Sequence, residues 1–219
     1  PYRSFSYKNQ SIMGLAHRLF RDVPADGEKL ADARLRGVDP SLLGPVWKVT
    51  VADLGFRGVS GLILVAAGLA GLFFVAVMPR RNARTKRTDT LEWAMLTLLI
   101  VMFSPLSFNY AYVWMIFPLT LAWTMALESP KGSKRRRNLL IWAGVASLLP
   151  ATAAFEPRVA QAYGNLFWPS VVLLAGLGWE LRRLGRRKRS GHNDELNSSR
   201  QSSPTRLMTH STCQADSAL

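Results

Sequence analysis

The residues best placed to do chemistry lie in one turn. Positions 104–110 read Ser-Pro-Leu-Ser-Phe-Asn-Tyr and interrupt a long apolar block. Pro105 has no backbone N–H to donate, so a bend there exposes carbonyls. Ser107, Asn109 and Tyr110 add hydrogen-bonding side chains at what the flanking hydropathy makes a bilayer edge. Irregular backbone at membrane depth must be buried in protein or face a wet cavity. The plainer reading is a helix–turn–helix with polar tips, which membrane edges ordinarily carry. Composition leaves both readings open. Elsewhere chemistry is sparse. His17 stands near Lys8, Arg18 and Arg21, where it either meets a phosphate or sits on a solvated helix face. His192 and His210 fall in a polar tail, and Cys213, the single cysteine, cannot form an internal disulfide. No His, Cys, Asp or Glu spacing suits a metal, and no glycine loop suits a nucleotide, so neither metal nor cofactor is expected.

The elements that would position these groups follow from how hydrophobicity is distributed. The 219 residues carry a net charge of +14 and are 48% hydrophobic, totals that a soluble basic domain could share. Here, however, apolar residues form long uncharged blocks and the cations form dense runs between them. A soluble helical protein interleaves the two at helical period. The segregation predicts an all-α integral membrane protein of about five transmembrane helices. The expected organisation is an extracytoplasmic helical segment over 1–57, a helix bundle over 58–181 and a basic, disordered cytoplasmic tail over 182–219. Within 1–57, Asn9 and Ser11 can cap an amphipathic helix carrying Ile12, Leu15, Ala16, Leu19 and Phe20. A second short helix over 25–36 would close at Gly37. Asn9-Gln10-Ser11 and Asn197-Ser198-Ser199 also match a glycosylation acceptor pattern, which is common by chance.

The expected spans are 58–78, 91–106, 107–127, 138–155 and 165–181. In the first, Ala67 and Gly71 form a small-xxx-small pair, and Gly61, Gly68 and Gly71 read as packing residues. The block 91–127 is too long for one crossing of about 20 residues. Charge supports dividing it. Arg80, Arg81, Arg84, Lys86 and Arg87 follow the first span; Lys131, Lys134, Arg135, Arg136 and Arg137 follow the third; Arg182, Arg183, Arg186, Arg187, Lys188 and Arg189 follow the fifth. The turn at Pro105 has no cation, and the loop after the fourth span has only Arg158. Five crossings put every basic loop on the cytoplasmic side of a plasma (inner) membrane and the 1–57 segment outside. The cationic runs therefore read as topology signals that can touch anionic lipid, and no nucleic-acid partner is expected. Trp114, Trp123, Trp142, Trp168 and Trp179 are candidate interfacial or packing aromatics.

Two stretches resemble the polytopic membrane glycosyltransferases of family 87, of the GT-C fold. Lys8-Asn9-Gln10-Ser11-Ile12-Met13-Gly14, with Arg18-Leu19 following, resembles that family's N-Q-S segment ahead of a short outer helix. Positions 104–110, with the apolar run 113–121 and Pro118 behind them, resemble its S-P-x-S-W-x-H turn. The likeness covers roughly 7–127, with agreement in hydropathy as far as 181. Two positions depart: Phe108 replaces tryptophan, and Tyr110 replaces histidine. A phenol titrates near 10 against about 6.5 for imidazole, so Tyr110 can take over hydrogen bonding but not a proton shuttle.

The resemblance implies transfer of a hexosyl group, often mannosyl, from a polyprenyl-phosphate sugar to an acceptor hydroxyl at the outer face. Such chemistry needs a carboxylate to take the acceptor's proton and donors or cations for the departing phosphate. In the GT-C fold the base is typically an acidic residue in the first outer loop, which here would precede Pro1. The chain is thus expected to be the C-terminal portion of a longer enzyme, with its base upstream. Asp22, Asp39 and Glu156 are outer-face acids outside any matching motif. Asn9, Gln10, Ser107, Asn109 and Tyr110 would line the substrate cavity; Lys8, Arg18, Arg21 and Arg158 are the phosphate-contact candidates on charge and side. The rival expectation is a non-enzymatic polytopic protein such as a transporter component. The near absence of charge within the spans argues against ion coupling.

Overall fold

A computed structural model describes residues 6–39, 47–81, 84–105 and 109–201, with the side chains of 27–28, 109 and 187–201 left aside. Every regular element among the described residues is helical. They are α1 (Ile12–Phe20), α2 (Gly27–Leu35), α3 (Gly55–Val77), α4 (Lys86–Phe103), α5 (Ile116–Glu128), α6 (Lys134–Ala151), α7 (Pro157–Ala162) and α8 (Phe167–Gln201), with 3-10 turns at Asn109–Met115 and Thr152–Ala154.

Local chemistry sets most of the starts. The Ser11 hydroxyl accepts from the Gly14 N–H, and Thr85 and Thr88 form a reciprocal capping box at the head of α4. Ser133 accepts from the Arg136 N–H at the head of α6. Gly37 takes φ +69° just past α2, where it was expected to close that helix. The block 91–127 is broken as its length required. α4 stops at Phe103, Ser104 and Pro105 leave the helix, and the chain returns through the 3-10 turn into α5.

α3, α4, α5, α6 and α8 run alternately up and down. α8 is the hub, packed on α6 and α4 and touching α3 and α5. The core is built from residues three or four apart: Leu91, Met95, Leu98 and Met102 of α4, Ala122 and Met125 of α5, Leu139, Ala143 and Ala146 of α6, and Leu173, Leu177 and Leu181 of α8. Gly178 admits α3: a methyl there would stand 2.5 Å from Phe73 Cζ. The glycines expected to pack in α3 do not do so within this chain. A Cβ at Gly61, Gly68 or Gly71 meets nothing within 4 Å. Only 11% of the most apolar window of α3 is buried.

The two ends of the bundle differ in kind. One gathers the arginine-rich connections, where Arg84 meets Glu92 at 3.4 Å, Arg87 meets Glu128 at 3.4 Å and Arg135 meets Glu180 at 2.5 Å. Glu180 is buried, so removal of either partner would leave an uncompensated charge between α6 and α8. The other end carries α1, the 3-10 turn at Asn109–Met115 and α7. Among the described residues, two segments are long and apolar enough to cross a membrane, Gly55–Val77 and Tyr110–Glu128. The other three bundle helices are apolar over shorter stretches. The uncharged part of α6, 138–151, is roughly 20 Å long against a hydrocarbon core of about 30 Å.

Candidate functional site

The stretch from Ser6 into α1 is bound to the α7 end of the bundle by a buried polar joint. Asn9 Nδ2 donates to the Pro105 carbonyl at 3.0 Å. The Tyr112 hydroxyl donates to the Gln10 carbonyl at 2.6 Å. Gln10 Nε2 donates to the carbonyls of Tyr7 at 2.6 Å and Gln161 at 2.7 Å. The Arg18 guanidinium holds the rest. Its Nη1 donates to Ser6 and Asn9 carbonyls, each at 2.7 Å, and its Nε to the Ala162 carbonyl at 3.2 Å. A longer contact runs from Nη2 to Gln161 O at 3.5 Å. Three stretches far apart in sequence, around 6–18, 105–112 and 161–165, therefore meet at one point.

Small residues make the approach possible. A Cβ at Gly14 would stand 2.8 Å from the Asn9 carbonyl, so only glycine lets α1 fold back over its own entry. Gly164, with φ +78°, turns the chain out of α7 beside Leu15.

The electrostatics are those of a dry junction. Asn9, Gln10, Ser11 and Arg18 have no solvent exposure. Burial lowers the Arg18 pKa to about 9, against a smaller opposing influence from Tyr112. Carbonyl oxygens at the end of α7 and in the 6–9 turn replace the lost hydration, and the guanidinium keeps its charge at neutral pH. Burial, with the nearby Arg21 charge, also lowers the pKa of His17, which stacks on Phe56 with centroids 5.5 Å apart. Two acceptors in the joint, Gln10 Oε1 and Asn165 Oδ1, are buried and take no hydrogen bond from any described residue.

The expected site residues are thus sorted. Asn9, Gln10 and Arg18 are brought together with the 105–112 stretch. Arg18 is not positioned to meet a phosphate, because its donors point at main-chain carbonyls and no part of it reaches solvent. Lys8 is half-buried in the turn before α1. Arg21 is also half-buried, with its guanidinium carbon 5.4 Å from the Phe56 ring centre. Arg158 is exposed on α7, on the same end but outside the joint. Tyr110 is 75% exposed and faces away from the buried network. Asn109 opens the 3-10 turn, while its side chain and Ser107 lie outside the described residues. Among the acids, Asp22 pairs with Lys48 at 2.7 Å, and Asp39 and Glu156 are exposed.

Sequence reasoning missed Tyr112, Gln161, Ala162 and Asn165. Tyr112 carried a usable signal, since a tyrosine inside an apolar run needs a partner for its hydroxyl. Gln161 and Ala162 carried none, because they contribute backbone carbonyls. Comparison with protein-family models, curated proteins and solved structures finds no match to this chain.

Proposed function

We propose that this chain is the membrane-embedded part of a polytopic hexosyltransferase that works on a lipid-phosphate sugar at the outer face of the plasma membrane. The observation that carries the reading is the joint itself. The two stretches that resemble family 87, 8–14 and 104–110, are hydrogen-bonded to each other through Asn9 and Pro105, and Tyr112 adds a second tie. They meet at the end of the bundle opposite the arginine-rich connections. In this reading α3, α4, the 109–128 segment, α6 and α8 each cross the bilayer. The short apolar stretches of α4, α6 and α8 are completed by arginine stems reaching toward the head groups. Exposed Trp114 and Trp168 mark one interface, and Trp93 and Trp179 the other. The joint is a rigid platform. The rim around it, with Lys8, Tyr110 and Arg158, holds the sugar-phosphate head, and a carboxylate on another segment takes the acceptor's proton.

The test joins topology to activity. Full-length protein in native membranes is assayed for hexose transfer from a defined polyprenyl-phosphate sugar, with Tyr110→Phe and Arg158→Gln as variants. Loss of transfer with normal membrane insertion is expected. Wild-type membranes that transfer no sugar, or a cysteine at Tyr110 that labels only from the cytoplasmic side, would refute the reading.

A second reading, a non-enzymatic membrane protein, is favoured by one feature. The joint's most polar residues are engaged with main chain, as in a structural hinge-pin, and Asp22 is paired with Lys48.

A further inference from the structure

A cleft of about 500 Å³ opens at the head of α6, lined by Gly132, Ser133, Arg136, Arg137, Leu140 and Ile141. It lies at the arginine-rich end, away from the joint. Its cations differ in state from the arginine before them. Arg135, one residue earlier, is committed to Glu180. Arg136 and Arg137 form no ion pair with any described residue. Arg136 Nε is shielded from solvent and has no acceptor among the described residues. With Nε shielded, the outer nitrogens of Arg136 and the exposed Arg137 guanidinium are the groups that can meet an anionic oxygen.

The rest of the lining says what carries that oxygen. Leu140 lies four residues after Arg136, and Ile141 four after Arg137, so each cation stands one turn from an apolar side chain on the same face. Leu140 is half-buried against the core, and Ile141 is 54% exposed. The cleft therefore has a cationic mouth continuous with an apolar wall that runs along the helix toward the middle of the bundle. An inorganic anion would use only the mouth. Nucleic acid would find no aromatic side chain to stack on. An amphiphile with a phosphate head and a hydrocarbon chain uses both parts.

We propose that this cleft binds an anionic phospholipid, its phosphate held by Arg136 and Arg137 and one acyl chain lying along Leu140 and Ile141. The proposal rests on the bilayer placement given above and is independent of sugar transfer. It makes part of the basic end a specific lipid seat, where a topology signal alone needs only net charge.

The experiment uses the whole chain, purified and reconstituted in phosphatidylcholine vesicles with or without phosphatidylglycerol. Flotation reports membrane association, and native mass spectrometry reports the lipid retained. Wild type should float in both vesicle types and retain phosphatidylglycerol selectively. Arg136→Gln with Arg137→Gln should float equally and lose roughly tenfold in retention, the effect of removing a charge-assisted contact. Lys131→Gln with Lys134→Gln, matched in charge but outside the lining, should retain lipid like wild type. Ile141→Ser should weaken retention of the lipid but not binding of glycerol phosphate.

Equal loss in both double variants would overturn the cleft in favour of diffuse attraction. Competition by glycerol phosphate as effective as that of the lipid would reduce it to a head-group anion site and overturn the acyl assignment. Wild type that floats but shows no preference for phosphatidylglycerol sinks the cleft alone. Failure to float with any vesicle sinks the bilayer placement and the cleft together.

Discussion

Replacing Arg18 with methionine tests whether the joint is held by that guanidinium. The stem keeps similar volume, while the contacts to Ser6, Asn9 and Ala162 carbonyls at 2.7, 2.7 and 3.2 Å disappear. A carbonyl left unsatisfied in a buried site costs about 1–3 kcal/mol. Three such losses cannot simply be added, because the Ser6 carbonyl keeps the Asn9 N–H at 2.9 Å and the burial of one charge is relieved. The expected net loss is about 3–4 kcal/mol. Arg18→Lys should fall between, at about 2 kcal/mol, since an ammonium on a flexible stem cannot reproduce the planar fork. The damage should be local: the stretch that carries α1 and α2 detaches while the α4–α8 core stays intact.

Limited proteolysis in mild detergent should show early cuts between residues 20 and 54 and a resistant core. Thermal unfolding followed by circular dichroism gives the magnitude. The sign is decisive. If Arg18 were instead an unfilled phosphate-binding cation, removing it from the unliganded protein would relieve an uncompensated charge and stabilise the fold. A stabilised Arg18→Met, or a loss under about 1 kcal/mol, would refute the joint as described.

Further outcomes can be stated briefly. Gly14→Ala should destabilise by about 1–3 kcal/mol despite alanine's better helix propensity, because its methyl meets the Asn9 carbonyl. Gly68→Ala, in open space on α3, should be neutral or gain up to about 1 kcal/mol, and parallel melts of the two variants compare the signs. His17 has a lowered pKa when folded, so the unfolded chain binds its proton first as pH falls. Stability should therefore be complete above about pH 6.5 and decline as pH drops from there through the lower folded value, a slope that His17→Phe should flatten in melts across pH 7.5 to 5. Glu180→Gln should cost about 3 kcal/mol, the usual penalty for orphaning one partner of a buried pair, and Arg135→Gln in the same chain should recover part of it in a double-mutant cycle.

Local chemistry is what the linear chain made legible. Ser11 announced a helix start because a cap needs only neighbours a few residues away. The length of the 91–127 block and the proline at 105 required a break there, and α4 ends at Phe103. The apolar and arginine-rich segments alternate along the chain, and up-and-down packing then collects the charged connections at one end.

Other features depended on which surfaces meet. The small residues of α3 looked like a packing seam, yet Gly61, Gly68 and Gly71 face open space, while Gly178 of α8 receives Phe73. Tyr110 and Tyr112 are equivalent in composition, but only Tyr112 turns inward, because the 3-10 turn sets its direction toward Gln10. Arg18 looked like a surface cation available to phosphate. It became the centre of the joint because its partners are carbonyls contributed by Ser6, Asn9 and Ala162, and a carbonyl has no residue type by which a sequence could advertise it. Short-range propensity and hydrophobicity are properties of the residues themselves, whereas the fate of this buried charge depends on backbone carbonyls, one of them more than 140 positions away.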